Sequence, residues 1–95
     1  MTEKTTTSID EQLSLKREEL TQAQITQTYA YSEYMKVMKA KSIVDESDTD
    51  KISKLDKLMY QHFITYQHAL EDAQKLQLEV SDLESQKYLE ELLAE

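Results

Sequence analysis

VDESDTDK, residues 44–51, decides the fold. A long helical pattern runs on either side of it, and the chain either turns here or passes straight through. Asp45, Glu46, Asp48 and Asp50 crowd the stretch, and Ser, Asp and Thr side chains hydrogen-bond to nearby backbone in competition with a helix. Ser47 followed by Asp50 reads as an N-cap, with acids suited to the positive end of a new helix. The pattern therefore predicts one helical domain over 1–95. It has a flexible tail at 1–7, a first helix at 8–44, an acidic turn at 45–50 and a second helix at 51–93.

Upstream, SIDE at 8–11 is a capping-box signature, in which Ser8 and Glu11 satisfy each other's backbone amides. Apolar residues then recur at Ile9, Leu13, Leu20, Ala23, Ala30, Tyr34, Val37 and Val44, in threes, fours and sevens. Lys16, Gln27 and Lys41 fall on the same stripe. Downstream, Ile52, Leu55, Met59, His62, Tyr66, Ala69, Ala73, Leu76, Val80 and Leu83 keep the same spacing. Folding the chain at 45–50 matches the stripes, with Val37 by Met59, Ala30 by Tyr66 and Leu13 by Leu83. Large residues then meet small ones, as an interdigitating seam requires. The expectation is an all-α fold, an antiparallel two-helix coiled-coil hairpin about 50–55 Å long at ~1.5 Å per residue. The rival is one continuous helix in a parallel coiled coil, since the step from Val44 to Ile52 is a four-residue insertion that a coiled coil absorbs as a stutter.

Composition narrows the function. Gly, Pro, Cys and Trp are all absent, and 32% of the residues are charged. Without cysteine there is no zinc ribbon, redox pair or thiol nucleophile. Without glycine there is no phosphate-cradling loop. The opening MTEKTTTSIDEQ has no apolar h-region of a secretory signal, and no uninterrupted apolar run approaches the ~18 residues of a membrane span. The chain reads as cytoplasmic and not membrane-inserted, with export by a signal-free route as the alternative.

YAYSEYMKVM, residues 29–38, holds more apolar residues than a two-helix seam needs. With the stripe as coiled-coil positions a and d, Tyr31 and Met38 fall at e, beside the seam, and Met35 lies on the same flank. On the second helix Phe63 and Leu70 also fall at e, with Tyr60 adjacent. An antiparallel pair brings both sets of e positions to one side. A contiguous apolar cluster marks an association surface, and Tyr and Met are common interface residues. These six predict a partner interface. The simplest partner is a second copy, giving a homodimeric four-helix bundle, and another protein is the other possibility. Leu89, Leu92 and Leu93 near the end form a secondary docking candidate.

Catalytic, cofactor-binding and metal-ligating residues are not expected. His62 and His68 are six apart and point in different directions on a helix, and no Glu-x-x-His pair exists. No serine has a base and an orienting group in an enclosed site. The formal charge of −8 argues against direct nucleic-acid binding. The excess acid lies in 45–95, where thirteen acids face five lysines, whereas 1–44 is balanced at six of each. Glu84, Glu90 and Glu91 therefore carry the alternative reading, an acidic inhibitor that occupies a basic groove as nucleic-acid mimics do. The leading expectation is a non-catalytic interaction module, working as an adaptor, assembly subunit or secretion-type chaperone.

Overall fold

The computed structural model describes residues 8–94, and the tail at 1–7 lies outside them. Two helices, α1 (Ile9–Lys41) and α2 (Thr49–Ala94), fold back on each other as a hairpin. The continuous-helix alternative is overturned by contacts between residues far apart in sequence: Lys41 with Asp56 at 2.6 Å, Arg17 with Glu84 at 2.8 Å and Lys87 with Asp10 at 2.8 Å.

α1 starts where its sequence says it should. The Ser8 hydroxyl oxygen accepts from the Glu11 amide, and the Glu11 carboxylate accepts from the Ser8 amide, closing the capping box. Asp10 and Glu11 lie at its positive end, and Lys39 and Lys41 at its negative end. It stops at Lys41, three residues before the predicted end. The Ser42 hydroxyl donates to the Lys39 carbonyl at 2.6 Å. The Ile43 and Val44 amides donate to Ala40 and Lys41, only three residues back, so the last turn tightens and closes.

The reversal is built around two carboxylates, those of Asp45 and Asp48. Asp45 Oδ1 accepts from the Ser47 amide at 2.9 Å and the Ser47 hydroxyl at 2.7 Å, an Asx turn that bends the chain without glycine. Among the described residues none has positive φ. Asp48, rather than the predicted Ser47, caps α2: its Oδ1 accepts from the Lys51 amide at 3.2 Å. Ser47 is already committed to Asp45, which leaves the next carboxylate to take the cap.

Every residue of the predicted stripe between Ile9 and Leu83 is buried or half-buried. The most enclosed are Leu13, Ala30, Ala69, Ala73 and Val80. Three of those five are alanine, and the larger seam residues of mid-length, such as Tyr34 and Tyr66, stay partly open. The cross-seam contacts scatter around the expected sum of 96: Tyr31–Tyr66, Tyr34–Phe63, Lys41–Asp56 and Asp10–Lys87 sum to 97, Lys16–Glu79 to 95 and Arg17–Glu84 to 101. The long axis is 72 Å rather than 50–55 Å, because the 46-residue α2 outruns the 33-residue α1. No described helix is long and apolar enough to cross a membrane.

Candidate functional site

A hairpin has two flanks, and the cross-seam contacts identify which residues share each one. The Arg17–Glu84 pair joins two e positions, so the e residues of both helices do line one side. Tyr31, Met35, Met38, Tyr60 and Phe63 all lie exposed on that side, from 38% for Met38 to 66% for Tyr60, and Leu70 is half-buried. The cluster is anchored to the seam by its rings. Tyr31 packs against Tyr66 with centroids 5.6 Å apart, and Tyr34 against Phe63 at 6.1 Å, both tilted and within aromatic contact distance. Tyr34, Asp56, Met59, Tyr60 and Phe63 border a shallow recess of about 310 Å³.

A wider feature of this flank escapes a search for apolar residues alone. On α1 its positions run Thr21, Gln24, Thr28, Tyr31, Met35, Met38 and Ser42. On α2 they run Tyr60, Phe63, Gln67, Leu70, Gln74, Gln77 and Ser81. Not one is charged, in a chain of which 32% is charged. Charge returns at both ends, with Asp45 and Asp56 by the turn and Arg17 and Glu84 at the far side. The signal was present in the sequence as an absence, which a count of hydrophobic residues passes over.

The opposite flank is charged, with exposed apolar residues such as Leu15 and Tyr29 among the charges. Glu19, Gln22, Thr26, Thr65, Asp72 and Glu79 are among the residues lining an open groove of about 820 Å³. Lys16 reaches Glu79 across it at 3.2 Å, and hydrogen bonding to that carboxylate, more than its charge, raises the lysine's pKa.

Comparison with family models, with curated proteins and with solved structures finds no match in any of the three. The functional reading therefore rests on the geometry of this chain.

The remaining candidates are placed as follows. α2 continues beyond the first residue of α1, which lies level with Tyr88, so Leu89, Leu92 and Leu93 stand on an overhang with Leu93 77% exposed. Glu84 is held by Arg17, and Glu91 lies near enough to Lys87 to contribute to its raised pKa, after the larger effect of Asp10. Glu90 is exposed. His62 is half-buried in the seam and His68 is exposed. Among the described residues no three His, Cys, Asp or Glu side chains gather as a metal site.

Proposed function

We propose that the protein is a non-catalytic helical-hairpin interaction module that pairs with a second copy through the Tyr31/Met35/Met38/Tyr60/Phe63/Leu70 flank, forming a four-helix bundle. The observation that carries this reading is the flank itself, apolar at its centre and uncharged throughout. A solvated face of such a charged chain has no reason to exclude charge, whereas a buried interface core does. Each of the six side chains contributes roughly 1.5–3 kcal/mol when fully buried. The hairpin exposes 7349 Å², against roughly 5,700 Å² for a compact monomer of its mass, so it has surface to bury.

The bundle would serve as an adaptor, assembly subunit or secretion-type chaperone. The acidic-inhibitor alternative draws less support, because Glu84 is already paired with Arg17. The test is absolute mass by size-exclusion chromatography with light scattering. The expected result is twice 11.1 kDa. Tyr31→Glu with Phe63→Glu is expected to return the protein to a monomer that keeps its helical circular dichroism. A wild-type monomer, or a dimer indifferent to both glutamates, would overturn the proposal.

A further inference from the structure

The uncharged strip is uneven along its length, and that asymmetry sets how a second copy can lie on it. Met35 and Phe63 stand about 20 Å from the turn at ~1.5 Å per residue, near the middle of the apolar cluster. The strip as a whole continues away from the turn through Gln24, Thr21, Gln74 and Gln77, and its centre lies about 30 Å from the turn. A reversed copy cannot satisfy both centres. If the apolar clusters are superposed, Leu70 meets the partner's Asp56 and Gln24 meets the partner's Asp45. If the strip ends are superposed, Met35 and Phe63 stack on glutamines and leave their apolar surface poorly covered.

Resting on the self-association reading, we infer that the second copy docks with its turn at the same end, the two-fold axis running along the rod. Uncharged strip then covers uncharged strip from Thr21–Met38 over the partner's Tyr60–Gln77, and only the end residues Ser42 and Ser81 come level with the partner's Asp56 and the partner's Arg17. Tyr31, Met35 and Met38 lie over the partner's Tyr60 and Phe63, and Arg17 stands opposite the partner's Glu84. Each α1 packs antiparallel against the partner's α2, the arrangement of an up-down bundle. The strip is about 33 Å long over 22 residues and about 20 Å across two helices, on the order of 650 Å² per copy. That falls within the roughly 600–1,000 Å² each partner gives to a standard stable interface. One consequence follows for the overhang: Leu89, Leu92 and Leu93 of both copies emerge together at one end, opposite the two acidic turns.

The absence of cysteine makes the test direct. Thr49→Cys is exposed, at the first residue of α2, and carries a single nitroxide label. Same-end docking is expected to give a label-to-label distance below ~30 Å by pulsed electron resonance, the width of a four-helix bundle of ~10 Å helices. Reversed docking separates the labels by ~40 Å or more. A dimer by light scattering with the long distance overturns the alignment and leaves self-association standing, whereas a monomer overturns both.

Discussion

The two flanks of the hairpin share one seam, one length and one pair of helices, yet they are built to opposite rules. From Thr21 to Ser42 and from Tyr60 to Ser81 the first flank carries no charge. Over the same heights the second carries Glu33, Lys36, Asp72, Lys75 and Glu79 beside Thr26, Thr65 and the exposed Tyr29. Some of that charge is paired, as in Lys36–Glu33 at 2.9 Å and Lys16–Glu79 at 3.2 Å. Burial in the hairpin does not account for the difference, because most residues on both sides remain exposed. What separates the flanks is suitability for losing water. Charged side chains are costly to desolvate, whereas Tyr, Met, Phe and glutamine are cheap or can re-pair.

The largest effect should come from moving one flank's rule onto the other. The flank variant Tyr31→Glu with Phe63→Glu should weaken dimerisation at least about a thousandfold, since two acids per copy are buried without partners. Thr26→Glu with Thr65→Glu on the opposite flank should leave the mass unchanged. Sedimentation equilibrium on both variants makes the comparison, and equal behaviour would break it.

The seam beneath both flanks should respond differently. Ala30→Leu overfills a position only 1% exposed and should cost about 1–3 kcal/mol of stability. Urea titration at a fixed protein concentration reads this as a lower midpoint with helicity lost together on both helices. A variant that dissociated while its hairpin stayed fully stable would move Ala30 out of the seam.

Salt separates the flanks more gently. An interface with an uncharged core should change its dissociation constant by less than about threefold between 50 and 500 mM salt, because screening acts on exposed charges. A steep loss of affinity would instead point to Arg17 and Glu84 as the main contacts.

The smallest effect concerns Asp45, at the turn end of the uncharged strip. The Ser47 amide, and then its hydroxyl, hold the Asp45 carboxyl below its ordinary pKa. A lowered folded-state pKa contributes stability that is present above the unfolded value of about 4 and is lost as pH falls through the folded one. Amide exchange at Ser47 should therefore quicken, relative to Asp45→Asn, as the pH drops below about 4. Equal exchange rates across that range would remove the carboxylate from the turn.

The capping box and the apolar stripe were legible because each is local. Ser8 and Glu11 need only one turn of helix to meet, and threes and fours define a face whatever it packs on. The reversal was legible for its composition, while its atomic assignment was not. Asp45 draws Ser47 into the turn, and Asp48 becomes the cap as a result, a competition among neighbouring carboxylates that spacing does not rank. The six flank residues could be placed on one side because antiparallel pairing fixes where e positions fall. Their exposure could not be read, since Leu70 and Phe63 differ in burial at equivalent positions.

By itself the sequence determined that this chain forms two amphipathic helices separated by an acidic break, because helix period, capping and backbone competition act within a few residues. Only the tertiary structure decided that the break is a reversal, that the cross-seam contacts sum to 95–101 and that α2 overhangs α1. Those outcomes depend on which side chains meet across the seam, where the alanines at 30, 69 and 73 are buried while Tyr29 and Tyr31 beside the first of them are left at the surface.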